Sequence, residues 1–201
     1  MKRHPESDAV TKNARFLSGQ VTVSWCRGRV TSVGLGRART GTGDRKLGRD
    51  LAAVQAGRSV PSSLHIDLGN LPEFSRTVLR ACAGIPRGEV RTYGELATRV
   101  GRPHVARAVG QALARNPFPV IIPCHRVVAS GGRLNGFGGG LAWKEALLAS
   151  EGWEFEGRGR SRRIVRSRVK GQPDYRVNSS YVSGGASVHA RRSRSNSSAS
   201  R

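Results

Sequence analysis

A cysteine and a histidine stand side by side in the segment PVIIPCHRVV, residues 119–128. A thiol attacks an electrophile as its thiolate, and at an ordinary pKa of about 8.5 only a few per cent is ionised at neutral pH. A nearby base raises that fraction, so Cys124 beside His125 is a candidate nucleophile. Adjacent side chains of extended chain point to opposite faces, so contact requires a bend or a bridging water. The alternative is a buried structural cysteine beside an exposed histidine.

An acid that orients the histidine would complete such a site. The nearby downstream carboxylates are Glu145, Glu151, Glu154 and Glu156. We select Glu151, at the end of a predicted helix, although spacing alone does not decide between them. The three cysteines, Cys26, Cys82 and Cys124, are widely spaced and form no CxxC pair. This pattern does not favour a disulfide framework or a zinc site, and free thiols indicate a reducing compartment.

Two short helices are predicted upstream of the cysteine, in TYGELATRVGRPHVARAVGQALARN. Thr92 can cap the first helix, which continues through Ala97–Arg99 and is broken by Gly101. The second runs from about Pro103 to Arg115. Two helices joined by a glycine-containing turn form a helix-turn-helix pattern, which occurs in many proteins that do not bind DNA.

Other elements complete the central region of the chain. LPEFSRTVLRACAGIPRG predicts a helix with Pro72 in its first turn, a stop at Gly84 and Pro86, and Cys82 as a core thiol on its apolar face. β-branched residues predict extended chain up to Pro123. A glycine-rich loop, ASGGRLNGFGGG, follows, and LAWKEALLASEG predicts a helix that ends at Gly152.

The chain divides into three parts, residues 1–70, 71–156 and 157–201. In the first part, residues 20–36 alternate as in a β-hairpin with Arg27-Gly28 at its turn, and residues 37–50 are polar and predict a loop. The last part has twelve basic residues and one acidic residue, so it carries half of the net charge of +22. Few apolar residues interrupt this Arg/Ser-rich segment, so we expect it to be disordered.

Charge and hydropathy restrict the partners. A pI near 11.7 and a net charge of +22 favour a polyanionic partner, with nucleic acid ahead of a merely basic, soluble protein. The N-terminal residues MKRHPESDAV have no apolar signal core, and no apolar run approaches about 20 residues. We therefore expect no membrane partner and a cytoplasmic location, associated with the nucleoid, or a nuclear location in a eukaryote.

Together these motifs resemble a known family. NPFPVIIPCHRVVASGG and GFGGGLAWKEALLASEG, with IPRGEVRTYGELATRVG and ARAVGQALARNP, resemble the active-site region of the O6-alkylguanine-DNA alkyltransferases over residues 72–156. The expected fold is an α/β protein: a small N-terminal β subdomain, a mostly helical C-terminal domain with helix-turn-helix and active-site loop, and a basic tail. The resemblance implies a monomer that repairs double-stranded DNA through the minor groove, without cofactor or metal.

The resemblance also implies a role for each matching residue around the cysteine. Cys124 would accept a methyl group from O6 of guanine in one irreversible displacement, so that each molecule acts once. His125 would withdraw the thiol proton through a water, and Glu151 would hydrogen-bond His125. Asn116 would hold the turn that carries the cysteine.

The implied DNA contacts lie on the surrounding elements. Tyr93 would hydrogen-bond the flipped guanine and assist its departure, and Arg107 would fill the gap left in the base stack. The carbonyls of Cys124 and Val127 would accept from the guanine amino group, and the Gly138 N–H would face O6. Arg126 is grouped with these substrate-binding residues, in a structural rather than a catalytic role.

Several features depart from the family pattern. Phe137 and Gly138 stand where tyrosine and serine are common, which makes the pocket wall less polar, and the N-terminal part lacks the ligand cluster of zinc-binding relatives. The basic tail lies outside the pattern and either adds phosphate affinity or is an incidental extension. Three alternatives stay open: a lesion-binding module without transfer, a helix-turn-helix regulator with the cysteine as its sensor, and a small basic chromatin-type protein.

Overall fold

The computed structural model describes residues 9–17, 19–37 and 43–167. It begins with an antiparallel sheet in the order β1-β2-β3. The strands are β1 (Ala9–Phe16), β2 (Gly19–Cys26) and β3 (Arg29–Arg37). The predicted hairpin is confirmed as β2 and β3, and Arg27 and Gly28 at its turn both have positive φ, as tight hairpin turns require. The sequence does not predict β1, because only two of its residues are buried and the alternation is too short.

Helix α1 (Arg45–Gln55) follows, so the predicted loop over residues 37–50 is wrong from Arg45 onwards. The Asp44 side chain caps this helix by accepting a hydrogen bond from the Leu47 backbone N–H at 2.9 Å. Leu47, Leu51 and Val54 are buried along one face. The cap and the burial of this face stabilise a helix whose intrinsic propensity is modest.

The helices predicted for the C-terminal domain are confirmed. They are α2 (Glu73–Ala83), α3 (Tyr93–Arg99), α4 (Ala106–Ala114) and α5 (Leu141–Ser150). Thr92 caps α3 in a capping box with Glu95. Gly101, with a φ of 75°, lies in the turn that separates α3 from α4. Helix α4 begins later than the predicted Pro103, because the residues before it form turns. Cys82 is fully buried, as predicted.

The prediction of extended chain up to Pro123 is wrong. The chain folds back on itself there: the Ile122 N–H donates to the Phe118 carbonyl at 2.8 Å, and Val120 has a φ of 74°. The residues that follow form a one-turn 3-10 helix, Cys124–Arg126. The β-branched residues are explained by burial in the core rather than by a strand.

Short elements connect these helices. Strand β4 (Arg91–Thr92) pairs in parallel with β5 (Val127–Val128), which ties the start of the helix-turn-helix to the chain after the cysteine. The remaining 3-10 turns are Ser62–Leu64, Ser130–Gly132 and Gly159–Ser161.

A hairpin extends the C-terminal domain beyond its predicted end at residue 156. It consists of β6 (Trp153–Glu156) and β7 (Arg163–Ser167), and Ile164 is buried with Trp153 and Val128 in a small second core. The prediction of disorder from residue 157 is therefore wrong up to residue 167. The polar composition does not reveal that Ile164 packs in this second core while β7 pairs with β6. Residues 168–201 lie outside the described residues.

One main core joins the sheet to the helices. It includes Val21 of β2, Leu51 of α1, Leu79 of α2, Val109 of α4 and Cys124. The predicted architecture, a small N-terminal sheet followed by a mostly helical domain with a helix-turn-helix, is confirmed. Among the helices of the described part of the chain, none is long and apolar enough to cross a bilayer.

Candidate active site

Cys124 begins the one-turn helix and is 7% exposed. The Asn116 side chain holds the turn in place: its Oδ1 accepts from the Phe118 N–H at 3.0 Å, and its Nδ2 donates to the Ile122 carbonyl at 3.2 Å. Because Oδ1 is fixed as the acceptor, Nδ2 also faces the Cys124 Sγ, at 3.1 Å. Asn116 therefore aims a donor at the sulfur where negative charge would develop.

His125 and Glu151 form a fully buried pair. The His125 Nε2 lies 3.0 Å from the Glu151 Oε1, and both side chains are 0% exposed. A carboxylate accepts hydrogen bonds, so it fixes the ring proton on Nε2 and leaves Nδ1 as a lone-pair base. Nδ1 is buried and hydrogen-bonds to none of the residues that the structure describes. It is therefore the ring nitrogen whose lone pair is available to a proton.

Arg126 lies inside the protein, against the same carboxylate. Its Nη2 and Nε donate to the Glu151 Oε1 at 2.8 and 3.0 Å, and its Nη1 donates to the Ile85 carbonyl at 2.7 Å. A guanidinium held in this way does not reach DNA, so the grouping of Arg126 with the substrate-binding residues is wrong. Its structural role fits, because it neutralises a buried carboxylate.

The surroundings shift the proton affinities of the site. Burial raises the pKa of the Cys124 thiol, while the Asn116 hydrogen bond and the Lys144 charge oppose the rise. Burial lowers the pKa of His125, and the Glu151 carboxylate opposes that. Both groups are therefore neutral in the resting site at pH 7, and attack requires transfer of the thiol proton to a base.

Lys144 is a residue that the sequence reasoning missed. It lies on α5 with 0% exposure, and its Nζ donates to the carbonyls of Val127 at 2.6 Å and Asn135 at 3.0 Å. Burial lowers its pKa to about 8, and the Cys124 charge opposes this. The signal was available, since Lys144 stands four residues before Leu148 on the apolar face of its helix. The Val127 carbonyl, predicted to accept from guanine, already accepts from Lys144.

Lys144→Met is expected to slow alkylation of Cys124 by iodoacetamide at pH 7 by about tenfold, which corresponds to one pKa unit. The ammonium lowers the pKa of the thiol, so its removal moves the midpoint of the rate against pH to higher pH. Peptide mass spectrometry separates Cys124 from the other thiols. Lys46→Met, on the exposed face of α1, is the control. An unchanged midpoint in Lys144→Met would contradict the electrostatic role.

The remaining predicted residues lie on the helix-turn-helix and the glycine-rich loop. Tyr93 is the first residue of α3, and its half-buried ring lies against α4 at Gly110. Burial, and the negative charge of Cys124 in its thiolate form, raise the pKa of Tyr93. Arg107 is exposed on α4, and Gly138 is exposed in the loop, with open space where a Cβ would stand. The fold thus clusters Tyr93 with the cysteine and leaves Arg107 and Gly138 at the surface.

Comparison with known proteins assigns the chain to a family. Residues 73–153 match the family model "6-O-methylguanine DNA methyltransferase, DNA binding domain". A methylated-DNA–protein-cysteine methyltransferase from Methanosarcina acetivorans is 51% identical over 109 residues, 54% of this chain and 69% of the relative. One from Mycolicibacterium paratuberculosis is 48% identical over 101 residues, 50% of this chain. The match spans only 61% of that mycobacterial relative's length.

Solved structures extend the match to the N-terminal subdomain. The O6-methylguanine methyltransferase of Mycobacterium tuberculosis aligns with a TM-score of 0.59 at 32% identity, over 71% of this chain and 92% of that chain. The same organism's protein in complex with DNA aligns with a TM-score of 0.57 at 33% identity, over 70% and 92%. The alignment thus covers almost the whole of the mycobacterial protein, and the chain belongs to the O6-methylguanine-DNA methyltransferase family.

Proposed function

We propose that this protein repairs alkylated DNA by transferring a methyl group from O6 of guanine to its own Cys124. The observation that carries the proposal is the arrangement at one turn of chain. Asn116 donates to the Cys124 sulfur, the His125 Nδ1 hydrogen-bonds to none of the described residues, and Glu151 fixes the other ring nitrogen. This set has the parts of an activated nucleophile: a thiol, a base and an acid that orients the base.

The reaction balances without a co-reactant. The Cys124 thiolate attacks the methyl carbon, an S–C bond forms, and the electron pair of the C–O bond departs with O6. The guanine that leaves takes up a proton on its ring, which matches the proton that the thiol lost. No bond to sulfur in the resulting thioether is easily hydrolysed, so each molecule reacts once.

His125 and Glu151 supply the proton transfer. Nδ1 of His125 accepts the thiol proton, through a bridging water, and the Glu151 carboxylate stabilises the imidazolium that forms. Tyr93, beside the cysteine, hydrogen-bonds the guanine as it leaves.

The DNA contacts follow from the position of the helix-turn-helix. An alkylated O6 lies inside the duplex, so the base must leave the stack, at a few kcal/mol of unstacking. Arg107, exposed on α4, fills the gap and recovers part of that by stacking and phosphate attraction. We place α4 in the minor groove, where sequence information is poor, which suits repair at any sequence. The DNA complex of the mycobacterial relative supports a DNA partner.

The loop around Gly138 completes the proposed pocket. Its open backbone lets the Gly138 N–H approach guanine O6, and the Cys124 carbonyl accepts from the guanine amino group. The Val127 carbonyl contributes only through a second lone pair, since Lys144 occupies the first. We further propose that the protein acts as a monomer, without metal or cofactor, where the DNA is: in the cytoplasmic nucleoid, or in a eukaryotic nucleus.

The proposal is tested by counting repaired bases. A duplex with one O6-methylguanine is mixed with increasing protein, digested to nucleosides and analysed by chromatography. We expect O6-methyldeoxyguanosine to disappear from the digest at one equivalent per protein, with no further turnover. Tight binding of the duplex with all of its O6-methyldeoxyguanosine retained would favour a lesion-binding module instead.

Arg107→Ala is expected to slow repair in a duplex by about tenfold or more, while transfer from the free base O6-benzylguanine changes little. The arginine acts only when a base leaves a stack, and loss of one stacking contact corresponds to about 1–3 kcal/mol. Single-turnover rates on both substrates measure the difference. Gln111→Ala, exposed on the same helix, is the control. Equal losses on both substrates would remove the base-stack role.

Deletion of residues 168–201 is expected to flatten the salt dependence of DNA binding. This segment carries seven basic residues and one acidic residue, and each phosphate contact adds about 0.9 to the slope of log K against log salt. The deletion begins after β7, so the ordered hairpin is kept. Fluorescence anisotropy at several salt concentrations measures the slope, and an unchanged slope would make the segment an incidental extension.

A further inference from the structure

Gln55 is a buried polar residue of the N-terminal subdomain that reaches the catalytic carboxylate. It is the last residue of α1 and is 5% exposed. Its Nε2 donates to the Glu151 Oε1 at 2.9 Å, across 96 positions of sequence. Burying an amide side chain costs free energy unless its polar atoms are hydrogen-bonded. The contact with Glu151 therefore needs an explanation.

The orientation of the amide is fixed by its surroundings. Besides Glu151, Nε2 lies 3.2 Å from the Leu147 carbonyl and 3.2 Å from the Ser150 Oγ, and that hydroxyl itself donates to the Leu147 carbonyl. All three neighbours of the nitrogen therefore accept. The Gln55 Oε1 is buried with no hydrogen-bond partner among the residues that the structure describes. The side-chain hydrogen bonds of Gln55 to the described residues are therefore all made by its N–H groups.

Gln55 and His125 contact the same oxygen of Glu151. The His125 Nε2 and the Gln55 Nε2 both lie at Oε1, at 3.0 and 2.9 Å. Arg126 also donates to Oε1, from Nη2 at 2.8 Å and Nε at 3.0 Å, with a longer contact from Nε to Oε2 at 3.3 Å, and the Gly88 N–H donates to Oε2 at 3.2 Å. Gln55 differs from the arginine in two ways: it contacts Oε1 alone, and it reaches this oxygen from the N-terminal subdomain.

We propose that Gln55 is a positioning residue for the reaction at Cys124: its N–H groups hold the Glu151 oxygen against His125, and they make the reactivity of Cys124 depend on the docked N-terminal subdomain. Without this contact the carboxylate rotates toward Arg126 and Gly88, the hydrogen bond to His125 weakens, and His125 becomes a poorer base. The inference rests on the proposed function for its biological meaning.

The test compares full-length Gln55→Met with the unmodified chain and with Gln20→Met, a half-exposed control on β2. Methionine keeps the length of glutamine and removes the donor. Alkylation of Cys124 by iodoacetamide is followed by peptide mass spectrometry from pH 5 to 9. We expect Gln55→Met to react about tenfold more slowly at pH 7, the effect of one unit of base strength, and Gln20→Met to react normally.

A second readout separates positioning from packing. The charged groups that act on His125 are Glu151, Arg126 and Lys144. None of them changes in Gln55→Met, so a shift in the His125 titration, followed by NMR of labelled histidine, reports the position of the carboxylate. We expect the midpoint to move to lower pH. A lower melting temperature with an unchanged rate profile and midpoint would show a packing role only and overturn the proposal.

Gln55→Glu is the second variant, should methionine disturb folding. A protonated carboxyl group donates a hydrogen bond, whereas an ionised one repels Glu151. The variant should therefore react as fast as the unmodified chain at low pH and become slower than it as pH rises. A parallel profile at all pH values would overturn the proposal. Because iodoacetamide replaces DNA, failure of repair in the unmodified chain would reject the proposed function and leave this test standing.

Discussion

Cys124→Ala is expected to abolish methyl transfer while DNA binding stays within about twofold. The alkyl group has no other acceptor in the mechanism, so the loss is complete rather than graded. DNA binding survives because Cys124 is 7% exposed, whereas the exposed arginine of the helix-turn-helix, Arg107, is unchanged. Transfer is measured with a duplex labelled in the methyl group, and binding by anisotropy with the same duplex.

Cys26→Ala is the matched control for this experiment. Cys26 is a free thiol at the end of β2, and it is more exposed than Cys124. Its removal should leave transfer unchanged, which separates the active-site thiol from accessible thiols in general. Methyl transfer by Cys124→Ala, or its loss in Cys26→Ala, would contradict the assignment of the nucleophile.

Glu151→Gln is expected to slow transfer by about a hundredfold and to lower the free energy of unfolding by about 3–5 kcal/mol. The rate falls because a neutral amide stabilises the imidazolium far less than a carboxylate does, and general-base catalysis is worth about 10²–10⁴. Stability falls because the variant leaves the buried Arg126 guanidinium without its carboxylate. Single-turnover kinetics and urea unfolding measure the two effects.

The pH dependence of stability gives a further check on Glu151. Burial raises the pKa of this carboxyl group, but the hydrogen bonds and charges of His125 and Arg126 outweigh it and lower the pKa overall. A lowered carboxyl pKa contributes stability above the unfolded value of about 4.3, and that stability is lost as pH falls through the folded value. Glu151→Gln should therefore unfold with a weaker dependence on pH below about pH 4.5.

Glu145→Gln provides the control for Glu151→Gln. Glu145 lies on α5 and pairs with Arg162, which lies just before β7, and both side chains are partly exposed. Exposed ion pairs contribute little, so the control should change neither rate nor stability appreciably. Similar losses in both variants would show that the effect of Glu151→Gln is general to α5 and does not come from the catalytic site.

Local signals account for what the sequence predicts well. The Thr92 and Glu95 capping box marks the start of α3, Gly101 marks the break before α4, and Cys82 falls on the apolar face of α2. Each of these depends on residues within a few positions of one another. Glu151 as the partner of His125 is a longer step: its place at the end of a predicted helix favours it, the resemblance implies the same pairing, and spacing alone does not decide it.

Long-range packing accounts for what the sequence does not predict. The contact of Gln55 with Glu151 joins two subdomains, and no periodic pattern connects them. Arg126 faces inward because Glu151 arrives from α5, which the residues next to Arg126 do not reveal. In strand β7 the buried Ile164 lies in a polar stretch, so composition alone favours disorder there.

Peptide mass spectrometry shows directly whether Cys124 accepts the methyl group. The protein is mixed with a duplex that contains one O6-methylguanine, digested, and its three cysteine peptides are compared. We expect one methyl group on the Cys124 peptide, saturating at one per protein, and none on the peptides of Cys26 and Cys82. Binding of the duplex with no methyl on Cys124 would contradict this expectation and identify a protein that recognises the lesion without repairing it.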